Sequence, residues 1–161
     1  MFVTHAFEPV YDSNSKALIL GTMPSPQSVR HGFYYSHPQN RFWPLMAALF
    51  REAQPCTPQE KAAFALRHNI ALWDVLAECE IQGASDATIR RAVPNDFTRI
   101  LAEAPIERIY ATGKTAHMLF EKLLAPVIQR KAIYLPSTSP ANKALFPWEK
   151  LLSVWREKLG L

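Results

Sequence analysis

The chain has 161 residues, enough for one domain with one sizeable core and too few for two ordinary ones. Apolar residues make up 48% and charged residues 20%, a globular composition that excludes disordered and fibrous chains. Eighteen Lys and Arg against 14 Asp and Glu leave a net charge of +4, which suits a polyanionic partner without requiring one.

In chain order, the first clear element is a buried strand over residues 16–21 (KALILG), ended by Gly21. The loop Gly21-Thr22-Met23-Pro24-Ser25-Pro26 follows it, and then residues 32–44 (GFYYSHPQNRFWP). This second stretch is dense in aromatic rings and hydrogen-bonding groups, yet too rich in proline and glycine for a regular element. Adjacent rings suit a flat ligand such as a base, because stacking is worth ~1–3 kcal/mol per base. The same rings can equally fold inward as a satellite of the core. Thr57-Pro58-Gln59-Glu60 is a capping box with proline at the first helical position, and it predicts a helix through His68. A second strand is expected over 69–73, with Asp74 after it as the acidic residue best placed to face the rim of the sheet. A third strand spans 107–112 and leads through Gly113-Lys114-Thr115 into a helix over 114–124. A fourth covers 131–135. The hydroxyl-rich turn Pro136-Ser137-Thr138-Ser139-Pro140-Ala141-Asn142-Lys143 follows, and Trp148, Leu151, Leu152, Trp155 and Leu159 stand at helical spacing behind Pro147.

Strands alternating with helices predict a single α/β domain over residues 1–161, a three-layer α/β/α sandwich around a four-stranded, mostly parallel sheet. Such sheets carry their sites in the loops at the carboxyl ends of the strands. There, Gly113 and Lys114 open a helix and can hold one phosphate on backbone N–H groups. A complete phosphate-binding P-loop fails, since Arg108 stands where its first glycine is needed. The turn after the fourth strand can grip phosphate oxygens or a base edge, or simply lead into the last helix.

Other chemistries lack their residues. Cys56 and Cys79 are the only cysteines, too few for a four-thiolate metal site and with no second pair to imply a disulfide framework, so packing suffices for both. The five histidines are scattered, no metal is expected, and no cofactor is implied. Gly-x-Ser-x-Gly and Gly-x-Gly-x-x-Gly are both missing, against an α/β-hydrolase and a dinucleotide fold. The longest apolar runs (17–20 and 45–50) fall well short of the ~20 residues of a membrane span, and no export leader opens the sequence. A cytoplasmic protein with no membrane partner is expected, nucleoid-associated if bacterial.

Taken together, these loops resemble the uracil-DNA glycosylase superfamily. The string GFYYSHPQNRFWPLM (residues 32–46) is similar to the GF-aromatic-HP-x-NRFW segment of its mismatch-specific and thymine-DNA branch. Residues 21–25 stand where that superfamily has its first motif, and 136–142 where it has its second. The first motif lacks the usual water-positioning Asp or Asn, having Thr22, Met23, Pro24 and Ser25 instead. The second lacks its histidine, with Leu135 ahead of Pro136. Those departures resemble the hypoxanthine-DNA (DNA-deoxyinosine) glycosylase branch.

The resemblance implies a monofunctional enzyme of base-excision repair that flips a deaminated base out of DNA and hydrolyses its glycosidic bond. Hypoxanthine is the expected base, with uracil or a mismatched thymine as alternatives. It implies Asn40 as the catalytic residue. Tyr35 aligns with the stacking aromatic, rivalled by Phe33 and Tyr34, and Gly21, Thr22 and Met23 complete the base-binding set. Ser25, Lys114, Ser137 and Ser139 are the implied phosphate contacts, while Ala141 and Asn142 would fill the gap left by the flipped nucleotide. Arg41 is expected to anchor its loop through a salt bridge. The enzyme would act on DNA as a monomer and hand its abasic site to a processing enzyme. A reading of another class is a non-catalytic module that binds a phosphoester or a flavin.

Overall fold

A computed structural model describes residues 1–83 and 85–161. In chain order it contains β1 (Phe2–Thr4), β2 (Ala17–Gly21), α1 (Pro26–His31), α2 (Phe42–Phe50), α3 (Pro58–Arg67), β3 (Ile70–Asp74), β4 (Leu76–Gln82) and β5 (Ser85–Pro94). There follow α4 (Thr98–Glu103), β6 (Arg108–Thr112), α5 (Lys114–Leu123), α6 (Ala125–Ile128), β7 (Ala132–Leu135), a 3-10 turn (Pro140–Asn142) and α7 (Trp148–Leu159).

The four expected strands form one parallel sheet in the order β3-β2-β6-β7. Alternation along β2 sends its side chains to opposite faces. Ala17 and Ile19 pack with Trp43, Phe64 and Trp155 of α2, α3 and α7. Leu18 and Leu20 pack with Ile100 of α4 and Phe120 of α5. The sheet is therefore buried on both sides, which is why its strands read as continuous apolar runs. The result is the three-layer α/β/α sandwich.

Capping fixes where the helices begin. The Thr57 hydroxyl accepts the Glu60 N–H at 3.1 Å, starting α3 where the capping box places it. Helix α2 departs from the expected loop. Pro44 lies in its first turn, where a missing N–H costs nothing, so a proline that looks like a helix breaker is only part of a helix start.

A second sheet was not legible in the sequence. It is antiparallel, in the order β1-β4-β5, and β4 continues almost directly from β3. The chain leaves the central sheet at Val75, whose N–H donates to the Gly21 carbonyl at 2.8 Å. Strand β5 is largely exposed and polar, so it carries no hydrophobic period. Cys79 is packed in the core beside this sheet, whereas Cys56 is exposed. Among the described residues, no helix is long and apolar enough to cross a membrane.

The connections reverse direction between β2, which leads on to β3, and β6, which lies on its other side. The carboxyl ends of these two strands, Gly21 and Thr112, mark the crevice in which a doubly wound sheet places its ligand.

Candidate active site

The loops after β2, β6 and β7 converge at this crevice. Gly21 closes β2, and its carbonyl is held by Val75, between β3 and β4. Gly113 follows β6 in a left-handed conformation (φ 91°), and a Cβ there would lie 3.4 Å from that of Ser137. The turn after β7 thus packs against the start of α5.

Asn40 is the best-defined side chain of the group. Its Oδ1 accepts the Phe42 N–H at 2.9 Å and the Thr138 hydroxyl at 2.8 Å. Both donors fix which end of the amide is oxygen, so Nδ2 is left to donate. Thr138 is 2% exposed, and its carbonyl accepts the Arg41 N–H at 3.1 Å. The HPQN turn is thereby joined to the hydroxyl-rich turn across 98 residues of sequence.

The three adjacent rings divide. Tyr34 is a core residue: it is 2% exposed, its hydroxyl donates to the Glu8 carbonyl, and its own carbonyl accepts from Trp43. No face of it is left for a base, and burial holds its hydroxyl well above the ordinary tyrosine range. Phe33 is half-buried, edge-on to Tyr34 and tilted against Trp43. Tyr35 takes a left-handed backbone (φ 55°) that turns its ring onto Phe42, with centroids 3.9 Å apart and planes 11° from parallel. Its hydroxyl lies near Gly21 and is buried, with no hydrogen-bond partner of good geometry among the described residues. Burial, then the charge of Asp74, raises this hydroxyl too, and the nearby Thr112 side chain offsets part of that rise.

Thr22 is buried, and its hydroxyl donates to Asp86 of β5 at 3.3 Å. Desolvation raises the Asp86 carboxyl; Thr22 lowers it and the neighbouring Asp74 raises it further. Met23 packs against the core on the α4 and α5 side. Ser25 is engaged as the N-cap of α1, accepting the Ser28 N–H at 3.0 Å. Ser137 and Ser139 each accept the N–H two residues on, and the Asn142 amide donates to the Ser137 carbonyl. The turn is therefore preorganised by its own hydroxyls. Ala141 and Lys114 are exposed.

Arg41 makes no salt bridge among the described residues. It donates through Nη1 to the Phe146 carbonyl at 2.6 Å, so it ties down the segment after the turn by a backbone contact. Its Nε and Nη2 are buried and find no partner among the described residues, and burial lowers its pKa.

Three residues at the site carried too weak a signal for assignment from sequence. Thr138 was one hydroxyl among several. His5 stands far from every motif, yet its Nε2 lies 2.7 Å from Asp74 Oδ2. Leu145, 67% exposed just beyond the 3-10 turn, is an ordinary leucine until its surroundings are seen.

The whole chain supports a kinship. A sequence model of the Uracil DNA glycosylase superfamily matches residues 8–157. The chain belongs to that superfamily. Among its relatives, this superfamily member is 33% identical over 142 residues to a protein of Methanosarcina acetivorans named Hypoxanthine DNA glycosylase. That alignment covers 88% of this chain and 89% of the relative. A protein of the same name from Methanosarcina barkeri is 31% identical over 141 residues, covering 86% and 89%. A solution structure of a candidate uracil DNA glycosylase from Methanosarcina acetivorans superposes with a TM-score of 0.80 at 30% identity, covering 98% of each chain.

Proposed function

We propose that this superfamily member is a monofunctional DNA glycosylase that removes hypoxanthine from DNA. The observation that carries the reading is the fixed Asn40 amide at the crevice, with Nδ2 as its remaining donor. The two relatives named for hypoxanthine, each aligned over most of its length, favour that base over uracil and mismatched thymine.

In the proposed reaction, water adds to C1′ of the deoxyribose while the C1′–N9 bond breaks with its electron pair on the base, and the proton the water gives up ends on the departing purine. Positive charge gathers on the sugar and negative charge on the leaving purine. An amide is a feeble base, but a good fixed dipole. Asn40 acts by aiming N–H at the departing base or at the attacking water, and most of the barrier reduction is positioning and electrostatics. Tyr35, backed by the buried Phe42, forms the aromatic wall against which the base rests, closed by Gly21, Thr22 and Met23 and flanked by Phe33.

Ser25, Lys114, Ser137 and Ser139 line the phosphate track, with backbone N–H groups of their turns. We assign the gap-filling role to Leu145 beside Ala141. An exposed leucine near Lys143 and Lys150 suits a wedge that enters the stack as the base leaves. Extrusion costs a few kcal/mol, and less for a mispaired base. The proposal takes the enzyme to act as a monomer in the cytoplasm and to pass an abasic site to a later enzyme.

The test is single-turnover cleavage of labelled duplexes carrying deoxyinosine or deoxyuridine, with alkali to break abasic sites. Breaks at deoxyinosine are expected. Breaks only at deoxyuridine would overturn the base assignment, and none with either substrate would favour a binding module. Asn40→Ala should slow cleavage by about 100-fold or more. Its melting temperature should fall by no more than a few degrees, the cost of a lost cap.

A further inference from the structure

Arg41 follows the fixed amide of Asn40 directly in the chain, and its side chain has no role in the reaction as described. Its backbone joins the start of α2 to the hydroxyl-rich turn. The Arg41 carbonyl accepts the Leu45 N–H at 2.9 Å, and the Arg41 N–H donates to the Thr138 carbonyl at 3.1 Å. The guanidinium then reaches across 105 residues of sequence to the Phe146 carbonyl at 2.6 Å, a charge-assisted contact. Phe146 is a fixed point: its ring packs partly buried against the core, and its N–H donates to the Asn142 carbonyl at 3.0 Å. Immediately before it stands Leu145, 67% exposed.

As an anchor for stability this arrangement is wasteful. Arg41 Nε and Nη2 are buried and meet no acceptor among the described residues. Each unmet buried donor costs about as much as one good hydrogen bond returns. What the contact does fix is position. Residues 143–146 belong to no helix or strand. A second contact on them, from the exposed Lys150 ammonium to the Leu145 carbonyl, is longer at 3.3 Å and solvated. One guanidinium thus sets where the leucine outside the crevice stands relative to the amide inside it.

We propose that Arg41 is a positioning residue for base extrusion. Through the Phe146 carbonyl it fixes the height and direction at which Leu145 meets the duplex, and it takes no part in bond cleavage. The proposal rests on the glycosylase reading above and on the wedge assigned there. A wedge opens a stack only if its mount does not yield, because the duplex pushes back with the stacking and pairing it loses.

The test is single-turnover excision of deoxyinosine, at saturating enzyme, from two duplexes of one sequence. In the first the opposing nucleotide is cytosine. In the second it is a pyrene nucleoside, whose large flat ring fills the stack itself and leaves the wedge nothing to do. Arg41→Met removes the guanidinium and keeps the apolar stem. It should slow excision opposite cytosine by about tenfold or more, yet stay within about threefold of wild type opposite pyrene. Asn40→Ala should slow both. Leu145→Ala should shift the ratio of the two rates by a factor similar to that of Arg41→Met. The double variant should be no slower opposite cytosine than the slower of its parents, since a wedge already removed has no mount to lose. Equal slowing on both duplexes by Arg41→Met would overturn the proposal, as would multiplied effects in the double variant or a Leu145→Ala ratio equal to that of wild type. The salt slope of duplex affinity should be the same in Arg41→Met as in wild type; a slope flatter by about one would move Arg41 onto the phosphate track and sink the assignment. Arg41→Gln, too short to reach the Phe146 carbonyl, provides the same comparison should Arg41→Met fold poorly. Wild-type protein that cleaves neither duplex would overturn the glycosylase reading itself, an outcome distinct from an unshifted ratio.

Discussion

At the scale of single residues, the site depends on hydrogen bonds that leave one atom unspent. Thr138 and the Phe42 N–H saturate the oxygen of Asn40 and thereby define its nitrogen as a donor. Thr138→Val should lower single-turnover cleavage by about tenfold, roughly the value of one buried hydrogen bond, with little change in duplex affinity. Thr138→Ser should recover most of the loss. A purely packing role for Thr138 predicts the reverse order, because valine keeps the volume that serine gives up. Little of this was legible in the sequence. Asn40 emerged through the company it keeps, between HPQ and RFW, but its partner lies 98 residues away and nothing local marks one hydroxyl of a serine- and threonine-rich turn above its neighbours. Tyr34 and Tyr35 show the same limit. They are chemically alike and adjacent, and a left-handed turn at Tyr35 sends one into the core and the other to the crevice.

At the scale of elements, the four parallel strands and α3, α5 and α7 were readable because their signals are local: apolar runs bounded by glycine, a capping box, an apolar stripe at helical spacing. The antiparallel sheet was hidden because edge pairing to β4 rests on backbone hydrogen bonds, to which the polar side chains of β5 contribute no pattern. One tertiary clamp joins the end of α2, the helix that begins just after the HPQN turn, to the end of α3. Glu52, just past α2, accepts from Arg67 at 2.6 Å and pairs with His68, on whose ring Phe50 stacks at 3.9 Å. The Arg67 guanidinium, then His68, hold the Glu52 carboxyl below its usual range. A depressed carboxyl contributes stability above its unfolded pKa of about 4.3 and loses it as the pH falls through the folded value. Glu52→Gln should therefore melt below wild type near pH 6, and the two curves should converge toward about pH 3. A constant gap across that range would show that the clamp owes nothing to ionisation.

At the scale of the whole molecule, a net charge of +4 meets a polymer carrying one negative charge per phosphate. Duplex affinity should fall linearly with salt on logarithmic axes, at about 0.9 counterions released per phosphate neutralised. Exposed Lys114, at the mouth of the crevice, should account for about one of them. Lys114→Ala is thus expected to flatten the salt slope by about one without changing which base is removed. An unchanged slope would place Lys114 off the DNA track. This separation of affinity from selection follows from the layout: the phosphate track is built of exposed turns and the base pocket of buried strand ends.

The link from His5 to Asp74 ties the floor of the crevice to a slender piece of the fold. His5 reaches the crevice from the end of β1, an edge strand of three residues paired with β4 at Phe2, Val3 and Thr4 and anchored by the His5 N–H on the Ala77 carbonyl. So short an edge opens and recloses at free energies far below that of global unfolding. In each open interval Asp74 loses the proton donor that orients it, while Asn40 and Thr138, held by other elements, stay in place. Local opening at the crevice and global unfolding then have different thermal limits. On warming, exchange of the His5 amide with solvent should accelerate several degrees before circular dichroism registers any loss of structure, and a bond stapling β1 to β4 should raise the first limit while leaving the second nearly where it was.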